Sequence, residues 1–329
     1  KNGNSAGTKK PYAKITSDAK LQSFGGTVKL GGSAYELYNY VEKSASNYAS
    51  VVNTVASRLK GKADVYDLVV PTSMGITFPD NKTSKVNSSD QKKSIHSIYK
   101  KMNHQVKTVP LYDTMMSHRQ EYIYFRTDHH WTSRGAYYAY RAWALQTGRK
   151  AKDLSDFKRV SVFDDFYGTT YNKIHAGGAA DVVEKFESKN PVKTKVVFDD
   201  EEKTYSSLYF PNEAKKGFNR YQYFMKKNSF QVEITTKAHT GKTLLLVKDS
   251  FANCFVPFLT EHFDKIIMID YRYGKMAMGN LLSSNSDITD VLVLYNTEKF
   301  LQNKKLEKLA DIRKGESTMK EFDMNDLLG

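Results

Sequence analysis

Two short segments of this 329-residue chain carry residue types that belong together in a nucleophilic site. Arg126-Thr127-Asp128-His129-His130-Trp131 offers a carboxylate two positions from an imidazole. Lys248-Asp249-Ser250-Phe251-Ala252-Asn253 places a serine just after the apolar run Leu244-Leu245-Leu246-Val247, where a strand should end and a helix begin. A hydroxyl becomes a nucleophile near neutral pH only when a base takes its proton and a third group orients that base. In extended or turn backbone, residues i and i+2 face the same way, so Asp128 can fix the tautomer of His130. His130 is then the base, Asp128 its orienter and Ser250 the nucleophile. His129 points elsewhere, and Trp131 packs or walls a cleft. A third strand end, Leu294-Tyr295-Asn296, puts an asparagine amide where it can donate to an oxyanion. Each fragment also has a plainer reading: Asp249 or Ser250 as a helix N-cap, the two histidines as polar loop residues. Taken together they point to acyl transfer.

Composition sets the frame. The chain is 40% apolar and 26% charged, ordinary for a water-soluble globular protein, but 13% aromatic, with 22 Tyr against 2 Trp. Tyrosines suit sheets and also line sugar-binding clefts. A net charge of +14 favours polyanions such as nucleic acid, anionic lipid or an acidic cell-wall polymer. The lysines are scattered, however, and no nucleic-acid-binding signature accompanies them. One cysteine, Cys254, excludes an internal disulfide and a multi-cysteine zinc site, and its apolar surroundings predict packing. No apolar run is long enough for a transmembrane helix. The first residue is lysine, which is compatible with a trimmed leader or anchor.

The elements that must position these groups follow from periodicity. Residues 1–20 read as a flexible lead-in and 21–329 as the folded domain. Apolar residues spaced three, four and seven apart predict a helix over 34–59, and Val65–Val70 reads as a buried strand. Asp90 caps a helix running through Ile95, Ile98 and Tyr99. Val106–Leu111 and Tyr122–Phe125 read as strands, and Ser133–Leu145 as a helix stopped by Gly148. From about 152 to 238, glycines, prolines and short β-like runs (192–198 and 230–234) predict a mainly β insertion. Alternation then resumes: strand 244–247, helix 250–262, strand 266–269, a short helix near 277–282, strand 291–294 and a closing helix near 299–312. The fold class is α/β, a parallel sheet with helices on both faces. Its reactive groups should collect at the carboxyl ends of the strands.

The stretches YFRTDHHWTSRGAYYAYRAWA (124–144), LLLVKDSFANCFVPFL (244–259), IIMIDYRYG (266–274) and PTSMGITFPD (71–80) resemble the DHHW-type proteins of Gram-positive bacteria. These are related to the alginate O-acetylation proteins of the SGNH/GDSL hydrolase superfamily. The likeness spans most of residues 34–300. It implies an SGNH-hydrolase-like three-layer α/β/α fold with Ser250, His130 and Asp128 as the triad. The usual superfamily order places serine first, so the order here implies a circular permutation. Asn296 then falls at the asparagine donor and the Tyr271–Gly274 segment at the glycine block, making Tyr271, Arg272, Tyr273 and Trp131 the oxyanion or substrate candidates. Two departures stand out: D-x-H replaces D-x-x-H, and Asn296 lacks the G-x-N-D context. The resemblance further implies an extracytoplasmic O-acetyltransferase for a cell-surface or secreted polysaccharide, without a cofactor, supplied with acetyl groups by a membrane-bound acyltransferase.

Other functions remain open at this point. The same site is an acetylesterase if water takes the acetyl group. Asp-His-His also reads as a metal cluster, as in metal-dependent phosphoesterases, which need further aspartates such as Asp64, Asp67 or Asp113. A non-catalytic glycan-binding protein is the third reading.

Overall fold

Buried β-branched and leucine runs build the centre of the molecule, and the rest is arranged to cover them. The computed structural model describes residues 11–176 and 178–298. The expected closing helix at 299–312 lies outside the described residues, as do the first ten residues of the lead-in. The remainder of that lead-in is tied down rather than flexible. Ile15 and Asp80 exchange hydrogen bonds, and the Ser17 amide donates to Asn81.

Strands β1 (Leu21–Phe24), β2 (Thr27–Leu30) and β3 (Ser33–Glu36) form a small antiparallel sheet. Its turns use Gly25 and Gly31 at φ of 71° and 60°, a region glycine enters without steric cost. This corrects the helix start expected at Ala34. The glycine turn commits residues 33–36 to a strand, and helix α1 spans Glu42–Arg58.

Strand β4 (Asp64–Val70), helices α2 (Ser73–Ile76) and α3 (Gln91–Lys100), strand β5 (Val106–Thr108), and helices α4 (Tyr112–Ser117) and α5 (Ser133–Thr147) follow. Asp90 caps α3 through the Lys93 amide, and Gly148 ends α5 at φ 70°, both as expected. Tyr122–Phe125 is not a strand; only Tyr124 bridges, to Trp131. The segment 152–238 holds β6 (Phe157–Phe166), α6 (Thr169–Ile174), β7 (Asp181–Ser188), β8 (Thr194–Phe198), β9 (Thr204–Tyr205) and β10 (Gln231–Thr236). Strands β11 (Thr243–Lys248), β12 (Lys265–Ile269) and β13 (Asp290–Asn296) complete the fold, with α7 (Met278–Ser284) between the last two.

The central sheet runs β5-β4-β13-β11-β12-β10-β8-β9. Its first five strands are parallel, and β10, β8 and β9 continue it antiparallel. The sheet is therefore mixed rather than wholly parallel. The β-rich segment is present, but half of it extends the main sheet, while β6 and β7 form a separate ribbon. Alternation along each strand sends Val65, Val69, Leu245, Val247, Ile267 and Val293 to one apolar layer with α1 and α3. The opposite set, including Leu68, Leu244, Leu246, Met268 and Leu292, packs with the α5 residues Tyr137, Tyr140 and Trp143. Both faces are thus covered.

A carboxylic acid sits inside the layer beside α1. Asp67 of β4 is fully buried; the Tyr48 hydroxyl of α1 donates to Oδ1, and Oδ2 has no partner among the described residues. Burial pushes its pKa up to about 7, partly offset by Tyr48. The folded state therefore keeps a proton that the unfolded chain releases near pH ~4. The stability contributed by this group falls as pH rises from about 4 to about 7 and is flat above. Asp67→Asn should raise the melting temperature by roughly a few degrees at pH 8, and the gain should shrink toward pH 4 in calorimetric scans.

Candidate active site

Ser250 stands at the carboxyl end of β11, which the parallel sheet brings between the ends of β13 and β12. The α-helix expected from 250 to 262 is instead two 3-10 turns, Ser250–Asn253 and Val256–Leu259. Pro257 has no amide proton, and its ring would collide with the Asn253 carbonyl in a continuous α-helix. Asp249 is the N-cap, its Oδ1 accepting from the Phe251 amide at 2.8 Å. Its Oδ2 accepts from both the backbone and side-chain amides of Asn296, each at 2.8 Å. Capping and serine exposure are therefore separate jobs: Asp249 caps, and Ser250 is left to face the imidazole.

The residues facing Ser250 come from the loop before α5. Phe125 N–H donates to His130 O, Thr132 N–H to Ile123 O, and the turn between them carries Asp128 and His130. His130 Nε2 lies 2.7 Å from Ser250 Oγ, and its Nδ1 lies 2.6 Å from Asp128 Oδ1. Asp128 can only accept, so Nδ1 carries the proton and Nε2 offers a lone pair to the serine hydroxyl. Asp128 Oδ1 also takes the His130 amide at 2.9 Å, which the i, i+2 spacing makes possible. His130 is fully buried; burial first, then neighbouring His129, pushes its pKa down to about 4 despite the aspartate. Burial acts to raise the Asp128 pKa, but the two imidazoles and the Thr169 amide outweigh it and hold the carboxyl well below its usual range. At neutral pH the pair is a neutral imidazole against a carboxylate.

Sequence reasoning missed the residues that hold this pair, because they lie in the β-rich segment. Thr169, opening α6, gives its amide (2.9 Å) and hydroxyl (3.0 Å) to Asp128 Oδ2. A Cβ on Gly168 would fall 2.3 Å from the Asp128 Cβ, so only glycine lets the chain approach this closely. Asp181, at the start of β7, is fully buried and accepts from Tyr122 Oη, Arg126 N and Nε, and Thr127 N and Oγ1. Tyr221 stacks on His130, with centroids 3.7 Å apart and planes 7° apart, and donates to the Ser250 carbonyl at 2.8 Å. The excess of tyrosine was the only signal in the sequence for this last contact.

The remaining candidates divide. Trp131 is fully buried and donates from Nε1 to the Phe251 carbonyl at 2.9 Å, so it packs under the serine turn. Tyr271 is a core residue on the α1 face, its hydroxyl donating to the Met276 carbonyl at 3.0 Å; it does not reach the serine turn as a substrate contact. Tyr273 borders the same layer, with Arg272 over its ring. Arg272 forks onto the buried Asp270 carboxylate at 2.9 and 2.6 Å, and that carboxylate also faces Lys248. Lys248 is itself buried and bonded to Asn228 and Asn253; burial lowers its pKa to about 8. Asn296 and Phe251 line a narrow cleft with Ser73, His129, Glu36 and Glu298.

Asp128, His129 and His130 have possible ligand atoms within 4.8 Å of one another, the sole such group among the described residues. Both oxygens of Asp128 and both nitrogens of His130 are already committed to hydrogen bonds. Asp64 and Asp113 instead pair with Lys107 and Lys92, and Asp67 is in the core. The donor set of a two-metal phosphoesterase is not assembled by these residues.

The family described as DHHW protein matches residues 7–269. Among solved structures the chain is similar to a DHHW family protein from Eubacterium siraeum DSM 15702, at 25% identity and a TM-score of 0.80, covering 92% of this chain and 100% of that one. It is similar to Bacillus cereus PatB1 with a sulfonyl adduct at 18% identity and a TM-score of 0.69, covering 87% and 99% of the two chains. The O-acetyltransferase domain of Pseudomonas putida AlgJ matches at 12% identity and a TM-score of 0.49, covering 84% and 90%. No curated protein matches the sequence.

The Asp181 carboxylate gathers the loop that carries Asp128. Asp181→Ala strands several buried donors and should cost on the order of 3 kcal/mol in denaturant unfolding. Tyr122→Phe, which removes one donor of that set, should cost about 1 kcal/mol.

Proposed function

The chain belongs to the DHHW family, and we propose that it is a serine-dependent O-acetyltransferase acting on a polysaccharide. The observation that carries this reading is the unbroken hydrogen-bond line from Ser250 Oγ through His130 to Asp128. Ser250 Oγ attacks the carbonyl carbon of an acetyl donor while its proton passes to His130 Nε2. The tetrahedral intermediate collapses, the leaving group takes that proton, and acetyl-Ser250 remains. A sugar hydroxyl then gives its proton to His130 and attacks the acetyl carbon, and the proton returns to Ser250 as the ester is released. Asp128 stays ionised throughout and balances the imidazolium. The Ser250 amide and the Asn296 side chain are the oxyanion donors in this scheme.

Ser250 is 7% and His130 4% exposed, so the reacting pair is largely shielded from bulk solvent. The same site releases acetate where water replaces the sugar, which is the acetylesterase reading. SGNH-type layering, with the aspartate and histidine moved ahead of the serine by circular permutation, belongs to this proposal. So do an extracytoplasmic location and a membrane-bound acyltransferase as the source of acetyl groups. No helix among the described residues is long and apolar enough to cross a membrane.

Ser250→Ala should lower acetyl transfer from 4-nitrophenyl acetate to a glycan roughly a thousandfold or more, with no acetylated protein in intact-mass spectra. Retained turnover sinks the mechanism. In the wild type, the rate of acyl-enzyme formation should be flat from neutral pH down to about 5 and fall near 4, where His130 takes a proton and loses its lone pair. An acid limb near 6.5 contradicts the buried, neutral imidazole.

A further inference from the structure

His129 is the one member of the Asp128–His130 run that the relay leaves without a task, yet it is held as firmly as its neighbours. Its Nδ1 lies 2.6 Å from the Thr169 hydroxyl, which lies 3.0 Å from Asp128 Oδ2. A threonine hydroxyl has a single proton, and an ionised carboxylate can only accept. That proton therefore goes to Asp128, and the Thr169 oxygen accepts from His129 Nδ1–H. The tautomer is set from this end of the chain, and Nε2 is left with a lone pair. Nε2 has no partner among the described residues, and the half-buried ring walls the cleft with Ser73, Phe251 and Asn296. Asp128 thus fixes two imidazoles: His130 directly through Oδ1, and His129 through Oδ2 and Thr169. The two ring centroids are 3.8 Å apart.

We propose that the acceptor presents two adjacent hydroxyls to this pair of imidazoles. One gives its proton to His130 and is acetylated. Its neighbour donates a hydrogen bond to His129 Nε2 and orients the first for attack. The inference rests on the acetyl-transfer reading and deepens it, since it assigns the substrate class: a sugar with a free hydroxyl beside the one modified. His129 is a specificity-determining residue, and Thr169 positions it. A sugar lacking the neighbouring hydroxyl leaves Nε2 facing an apolar group, a loss of about tenfold in transfer.

The test supplies 4-nitrophenyl acetate as donor and compares methyl glucopyranoside with its monodeoxy analogues. The readout is the ratio of sugar acetate to free acetate formed from the acyl-enzyme. Wild type should reject two analogues, the one lacking the acetylated hydroxyl and, by about tenfold, the one lacking its neighbour. His129→Phe keeps a ring beside His130 without an acceptor atom, and should accept the neighbour-deoxy sugar as well as the parent. His129→Gln restores an acceptor and should recover part of the discrimination, which a merely structural role would not do. A wild-type enzyme indifferent to the neighbouring hydroxyl, or a His129→Phe variant that still discriminates, overturns the inference while acetyl-Ser250 still forms. Absence of acetyl-Ser250 in the wild type overturns the acetyl-transfer reading and the inference with it. The analogue series with wild type alone decides the matter if His129→Phe does not fold.

Discussion

A single buried charge, the Asp128 carboxylate, constrains everything around the site. An ionised carboxylate away from water persists only when its lone pairs are filled by donors. Asp128 obtains the His130 amide and ring from its own loop, and the amide and hydroxyl of Thr169 from α6. These bonds reach across different parts of the chain, so the charge can be housed only when the loop and the β-rich segment are docked together. Gly168 is the steric counterpart, since any side chain there would displace the aspartate.

A second buried carboxylate repeats the device from the other side. Asp181 fixes Arg126 and Thr127, the residues leading into Asp128, and Tyr221 lies flat against His130 while holding the Ser250 carbonyl. The segment 152–238 is therefore structural support for the relay as well as an extension of the sheet. Beneath it, Asp249 joins the serine turn to the end of β13 through Asn296, and Asp270 joins Lys248 of β11 to Arg272 beyond β12. Strand ends that parallel pairing merely brings near one another are locked by these charged contacts. Such networks trade desolvation for geometry, and the return is position: hydrogen-bonded side chains at strand ends cannot wander.

Burial also sets the protonation state that the proposed chemistry needs. A base must be neutral before it can take a proton, and the buried His130 is disfavoured as a cation even beside a carboxylate. In the proposed reaction the cation becomes favourable only as charge develops on the reacting oxygen, when the Asp128 carboxylate acts on the same transition state. His129 and Asn296 wall a narrow cleft together with Phe251, the residue that follows Ser250.

Local patterns in the sequence were enough to find strands β4, β11, β12 and β13, the Asp90 cap, the Gly148 stop and the Asp128–His130 pair. Each depends on interactions within a few residues: apolar alternation, a side chain reaching its own helix, or an i, i+2 approach. They likewise located Ser250 at a strand end, because an apolar run followed by Asp-Ser is a local signature. The helix predicted after Ser250 failed because tertiary packing of a largely buried stretch containing Phe251, Phe255 and Phe258, with Pro257 inside it, selected two tight turns. That the Tyr271 ring packs into the layer beside α1 was not legible, because neighbouring side chains after a strand point to different layers and only the packed sheet decides which one reaches the core. Thr169, Asp181 and Tyr221 were not legible, since their partners lie 41, 54 and 29 residues away and nothing in a polar β-rich segment marks them. Sequence by itself determined which groups could react, because nucleophile, base and carboxylate are properties of residue type and close spacing. The tertiary structure alone decided that they meet 2.7 and 2.6 Å apart, because compensating a buried charge requires donors that only folding can assemble.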